Sequence, residues 1–151
     1  MNYLLDTNIL LIYGRGTNIS DQIEKQYNLF NSQNNLAVSV VTLGELNSLS
    51  KQFNYGEKRK QKLEKLVEDV FIIDLNIAKI VDRYGEIDAY SQGKLASKPL
   101  QGSARNMGKN DLWIAATASV YDMVLVTTDK DFNHLDKVFL NLEMIDLELY
   151  K

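Results

Sequence analysis

Cysteine is absent from this 151-residue chain, and it has only one histidine, one proline and one tryptophan. Without thiols there are no disulfides, zinc-thiolate sites or cysteine nucleophiles, and His134 alone cannot build a histidine cluster for zinc. The absence of disulfides fits a reducing compartment, so the cytoplasm is the expected location. The start, Met1-Asn2-Tyr3-Leu4-Leu5-Asp6, has neither the basic residues nor the long apolar stretch of a secretory signal, and no later apolar run reaches membrane-spanning length. The chain is 45% apolar and 25% charged, as expected for one soluble globular domain over residues 1–151.

A surplus of basic residues is also lacking: the net charge is −3. Their placement is uneven, however. Residues 51–65 carry six cations against two acids, a local balance of +4, and residues 94–109 carry four cations and no acid. These two segments leave −11 for the rest of the chain. Basic segments flanking an acidic site suit a polyanion gripped by lysines while one of its phosphates meets a cation. Two solvated helix faces would explain the same pattern.

Hydrophobic periodicity predicts alternating strands and helices. Strands are expected at Tyr3–Leu5, Leu36–Val41, Val70–Ile73, Val124–Thr127 and within Val138–Ile145. Helices are expected over Asn8–Tyr13, from a cap at Asn18 or Ser20 towards Phe30, and over Thr42–Phe53, Gly56–Asp69, Asn76–Tyr90 and Asp111–Tyr121. The helix over Asn76–Tyr90 would turn Ile77, Ile80, Val81, Tyr84 and Ile87 inward. Residues 91–110, with the only proline and three of the eight glycines, read as a long irregular stretch. This order predicts a three-layer α/β/α fold with a mostly parallel sheet of about five strands.

In such folds the reactive site lies beyond the carboxyl ends of the strands. Asp6 and Asp129 follow strands directly, and Glu45 and Asp111 are expected in the first turns of helices. Gathered together, the four would form a site for a hard divalent cation, because unshielded carboxylates about 4 Å apart repel by roughly 4 kcal/mol per pair at an effective dielectric near 20. Each acid also has a purely structural explanation. Thr42-Leu43-Gly44-Glu45 matches a capping box, Asn110 or Asp111 would serve as an N-cap, turn formation accounts for Asp129 and Asp131, and Asp6 would suit a helix N-terminus.

Taken together, Leu4-Leu5-Asp6-Thr7-Asn8-Ile9-Leu10, Val40-Val41-Thr42-Leu43-Gly44-Glu45-Leu46, Lys109-Asn110-Asp111-Leu112-Trp113-Ile114-Ala115-Ala116-Thr117-Ala118 and Leu125-Val126-Thr127-Thr128-Asp129-Lys130-Asp131-Phe132 resemble the PIN domain, and within it the VapC-like toxin ribonucleases. The agreement in order and spacing covers nearly the whole chain. The resemblance implies endoribonuclease activity dependent on Mg²⁺ or Mn²⁺. Asp6 and Asp111 would ligate directly, with Glu45 and Asp129 acting through water or on a second, weaker cation; Asp131 competes with Asp129 for the fourth acidic position. Thr7, Asn8 and Thr127 would support the acids. Arg105 and Lys109, with Lys58, Arg59 and Lys62, are the candidate RNA contacts. The resemblance further implies a homodimer and a small cognate antitoxin, for which the helical pair over 42–69 is the candidate surface.

Three other classes fit less well or equally simply. A haloacid-dehalogenase-type phosphatase needs a second Asp where Asn8 stands, and a phosphoacceptor receiver, which would use Asp74, lacks the acidic pair after the first strand. A catalytically inactive PIN-like module that binds RNA or protein would retain the same fold.

Overall fold

Leu4 and Leu5 are adjacent in sequence, both fully buried, and belong to different cores. Successive strand residues point to opposite faces of a sheet, so this pair requires helices on both sides. Leu125 and Val126 divide between the two cores in the same way. The structure, a computed structural model, describes residues 1–150. Its five strands are β1 (Asn2–Leu5), β2 (Asn35–Ser39), β3 (Phe71–Ile73), β4 (Val124–Thr127) and β5 (Asn141–Met144). They form one sheet in the order β3-β2-β1-β4-β5, with every neighbouring pair parallel.

The six helices are α1 (Thr7–Arg15), α2 (Asn18–Tyr27), α3 (Val40–Gln52), α4 (Glu57–Glu68), α5 (Ala78–Ser91) and α6 (Lys109–Val120). One face of the sheet is covered by Ile80 and Ile87 of α5 and by Leu112, Ile114 and Ala115 of α6. The other is covered by Ile9 and Leu10 of α1, Ile23 of α2, Leu46 of α3 and Leu63 of α4. The chain leaves β1 towards β2 on one side and later returns to place β4 on the other. The strand order therefore reverses between β1 and β4, and a crevice opens beyond their carboxyl ends.

Several element boundaries differ from expectation. α3 begins at Val40 and not at Thr42, because Ser39 caps it by accepting the Val41 N–H at 3.1 Å. Gly108 is the N-cap of α6, so neither Asn110 nor Asp111 has that role. Thr17 occupies the N-cap position of α2, and the Ser20 hydroxyl donates back to its carbonyl. In α5 the inward stripe is Ile80, Ile87 and Tyr90, with Tyr84 partly buried against the same core; Val81 is 53% exposed, and Ile77 lies outside the helix as its N-cap residue. The irregular stretch before α6 is anchored: Met107 is buried, Leu95 and Leu100 pack on the core, and the Arg105 N–H donates to the Ser91 carbonyl.

Two helix-interior glycines have opposite surroundings. A Cβ on Gly14 would lie 2.5 Å from Leu63 Cδ2, so the α1–α4 contact requires the bare backbone, whereas a Cβ on Gly44 in α3 meets nothing within 4 Å. Glycine inside a helix costs roughly 0.5–1 kcal/mol relative to alanine. Gly44→Ala should therefore raise stability by about that amount. Gly14→Ala should lower it by about 1 kcal/mol, since overpacking a core costs about 1–3 kcal/mol and outweighs the helix-propensity gain. Urea denaturation with an unchanged m value measures both, and a stabilising Gly14→Ala would disprove the tight packing.

Candidate active site

Asp6 lies where β1 ends and α1 begins. Its extended backbone makes it the N-cap of α1, so the structural explanation for this acid is correct as far as one oxygen goes: Oδ1 accepts the Thr7 N–H at 2.8 Å. Oδ2 accepts the Thr127 hydroxyl at 2.7 Å, 121 residues away in sequence. The carboxyl group is only 4% exposed, and both hydrogen bonds favour its charged form. Burial dominates nonetheless, and with help from the charges of Glu45 and Asp129 it holds Asp6 above the ordinary carboxylate range.

Glu45 reaches the same place from the second turn of α3. Its Oε1 accepts the Thr7 hydroxyl at 2.7 Å. That contact excludes the capping box, because Glu45 turns to α1 and Thr42 is buried inside α3. Thr7 has one hydroxyl proton, committed to Glu45, so the 3.1 Å contact between the Thr7 and Thr42 hydroxyls needs its proton from Thr42. Thr42 thus belongs to the site, a role that its capping-box spacing concealed.

Asp111 stands in the first turn of α6. Burial raises it most, followed by the fields of Asp6, Asp129, Glu45 and, least, Asp131, which together push it up to about 7. Contacts link acids from four separate chain segments: Thr7 bonds the Asp6 and Glu45 carboxylates, Thr127 bonds the Asp6 carboxylate and the Asp129 backbone, and Glu45 shares a cleft with Asp111. Asp129 caps the 3-10 turn at Lys130–Leu135 by accepting the Asp131 N–H at 2.9 Å, and its own N–H donates to Thr127 Oγ1 at 3.0 Å. Its charge acts on both Asp6 and Asp111, whereas exposed Asp131 acts on Asp111 alone. Among the described residues, no three acids stand as a ready-made ligand set for a metal.

The other candidates divide. Thr7 and Thr127 orient carboxylates as described, but Asn8 is exposed and makes no hydrogen bond to any acid. Lys109 shares an open cleft with Glu45, Asn110 and Asp111. Asn110 also lines the neighbouring groove along α3 and was not anticipated from sequence. Arg105 lies near His134, whose pKa it helps to lower after burial. Lys62 is placed elsewhere: its ammonium covers Gly16 at the carboxyl end of α1, roughly 14 Å from Thr7 by helix rise, where a cation suits the helix dipole. Arg59 stacks on Tyr55 at 3.7 Å, and Lys58 is exposed. Both basic side chains thus given contacts on α4 are occupied locally.

The PIN domain family model matches residues 3–138. The chain belongs to the PIN domain family. Ribonuclease VapC2 of Rickettsia felis is 31% identical over 144 residues, covering 93% of this PIN domain and 96% of that protein. Among solved structures, VapBC2 from Rickettsia felis bound to a DNA fragment from its promoter superposes with a TM-score of 0.76 at 27% identity, covering 97% of this chain and all of that one. VapBC-1 from nontypeable Haemophilus influenzae gives 0.67 at 28% identity, with 95% and 98% covered. No helix of this PIN domain is long and apolar enough to cross a membrane among the described residues.

The raised acids have a definite consequence for stability. A carboxyl group whose pKa is higher folded than unfolded binds more protons in the folded state, so its stabilising contribution is complete below its unfolded value near 3.8 and is lost as pH rises. For Asp111 the loss runs from there to about pH 7. Without divalent cations, Asp111→Asn should flatten that decline. At pH 7.5 it should stabilise by about 1–2 kcal/mol after solvent screening, or about 3–6 °C in Tm. Thermal unfolding across pH 4–8 checks this; an identical pH slope in the variant would show that Asp111 is not raised in the folded state.

Proposed function

We propose that this PIN domain is an endoribonuclease dependent on Mg²⁺ or Mn²⁺ and the toxin of a toxin–antitoxin pair. The reading rests chiefly on one observation: at the strand reversal, Thr7 bonds both the Asp6 and Glu45 carboxylates, Thr127 bonds the Asp6 carboxylate and the Asp129 backbone, and Glu45 shares a cleft with Asp111, which links acids from four remote segments. The 31% identity to a ribonuclease, VapC2, supports it.

The donor set fits a hard divalent cation. All four acids offer oxygen, and Mg²⁺ characteristically keeps several waters while using one or two carboxylates, so a three-carboxylate cage is unnecessary. Asp6 and Asp111 would hold the cation directly, and Glu45 and Asp129 would act through water or at a second, weaker site. When bound, the cation would lower the pKa of water and offset charge developing on the phosphate. Thr127 holds Oδ2 of Asp6 and Thr7 holds Glu45, so both carboxylates keep their orientation with little rotamer entropy left to lose. Glu45 or Asp129 would orient the attacking water and accept its proton. Lys109, at the rim, would meet a phosphate oxygen of the strand, as would Arg105 farther along the same segment.

Asp129 fits the fourth acidic position better than Asp131, because its charge acts on both Asp6 and Asp111. The VapBC assemblies among the similar structures support a small cognate antitoxin as partner. Family resemblance extends the proposal to a homodimer in the cytoplasm, which sedimentation of the purified chain would test.

Asp6→Asn and Asp111→Asn should each reduce RNA cleavage at least about 100-fold, and EDTA should abolish it in the wild-type chain until Mg²⁺ or Mn²⁺ is restored. Full activity in either variant would remove that acid from the mechanism. EDTA-resistant cleavage would remove the cation, and failure to cleave any RNA would favour an inactive binding module. Thr127→Val should weaken Mn²⁺ binding about 10–100-fold, read as a smaller Mn²⁺-induced rise in Tm. An unchanged rise would reduce Thr127 to a packing residue.

A further inference from the structure

A groove leads away from Glu45 along α3. Val41, Gly44, Ser48, Leu49 and Gln52 form its α3 wall, Asn110 faces them, and the space is about 490 Å³. At positions 41, 44, 45, 48, 49 and 52 these residues follow helical spacing, so one complete stripe of α3 faces open space. Glu45 lies in both the groove and the cleft that holds Asp111. Whatever lies in the groove is therefore continuous with whatever meets the acids.

The chemistry of the walls narrows the occupant. Among the described residues the groove is lined by neutral groups and Glu45, a set that does not favour phosphate. Leu49 and Val41 offer an apolar surface, and Ser48, Gln52 and Asn110 offer neutral hydrogen-bonding groups. The Gln52 amide donates to Ser48 Oγ at 2.8 Å, which leaves Gln52 Oε1 and the Ser48 hydroxyl proton uncommitted. A flat apolar body with donors and acceptors on its edge matches this set, and single-stranded RNA presents its bases in that form. Gly44 adds an independent argument: neither a positive φ nor a neighbouring atom requires glycine there, although it weakens the helix. Its bare backbone leaves open space in the groove wall immediately beside Glu45.

We infer that the α3 groove seats a nucleobase of the RNA strand adjoining the scissile phosphate, so that Ser48, Gln52 and Asn110 influence where the strand is cut. This inference rests on the nuclease reading of the acids.

Gly44→Leu fills the groove; like Gly44→Ala it should raise the Tm slightly through helix propensity, and it should keep the Mn²⁺-induced stabilisation. Against a pool of random-sequence RNA, kcat/KM should fall roughly 10-fold or more through KM, as expected for loss of one base contact, and the nucleotides flanking the cut sites should change. Gln52→Ala should relax the preference at one flanking position. Unchanged KM and unchanged cut sites in Gly44→Leu would overturn the inference while leaving the nuclease reading intact. Loss of self-association or of antitoxin binding with unaltered cleavage would also overturn it, assigning the groove to a protein partner. A wild-type chain that cuts no RNA would instead bring down the nuclease reading and this inference with it.

Discussion

A nearly buried carboxylate at the end of the central strand organises this molecule. Asp6 would be costly to place there unpaired, since isolated ionised groups resist transfer out of water. Two donors from opposite ends of the chain's path offset the cost: the first amide of α1 and the hydroxyl of Thr127 at the end of β4. That second bond spans the strands between which the sheet order reverses, and the Asp6 N–H to Val126 carbonyl bond at 3.0 Å continues the β1–β4 ladder up to it. The sheet topology and the acid's environment are thus two descriptions of one arrangement. The remaining acids gather around a carboxylate already fixed in direction.

The framework was largely legible because its signals are local. Apolar pairs such as Leu4-Leu5 and Leu125-Val126 indicate strands buried on both faces, and acids directly after such strands indicate the carboxyl-end crevice. What sequence could not decide was competition between equivalent local motifs. Ser39 and Thr42 both suit an N-cap, but Ser39 takes that role, which starts the helix earlier, buries Thr42 and turns Glu45 towards Thr7. The capping-box spacing was genuine and its reading wrong. Lys62 is a different case, in which a cation read as part of a basic segment also lies over the carboxyl end of α1. Asn110 and Thr42 were read only as helix-capping candidates, because their places beside Glu45 depend on contact between distant segments.

The acids oppose stability in a way that fits their proposed task. Asp6 and Asp111 are both raised, first by burial and then by neighbouring acids, Glu45 and Asp129 acting on both, so the folded chain would gain from losing a charge. Strained electrostatics of this sort cluster at functional sites, although structural networks also produce them. The hydroxyl relay from Thr42 through Thr7 to Glu45 argues for the functional explanation. A relay that only neutralised a surface acid would have no reason to be buried, yet Thr42 is fully inaccessible and Thr7 nearly so. Holding a carboxylate in one direction is useful when something else must meet it.

The groove beside Glu45 follows the same physical logic with packing in place of charge. A helix-interior glycine with free space around it lowers the stability of α3, and nothing in the fold gains from it. Gly14 shows the contrasting case, in which the absent side chain admits Leu63 and the helix contact is closer for it. Since the two glycines have similar backbone costs, the difference lies in what occupies the vacated volume: a leucine at Gly14 and solvent at Gly44. The volume at Gly44 adjoins the acid that faces the cleft, and its walls carry uncommitted hydrogen-bonding groups. Unfavourable charge and unfavourable backbone entropy therefore meet at one residue pair, Gly44-Glu45, where the proposed chemistry and the proposed recognition of its substrate would join.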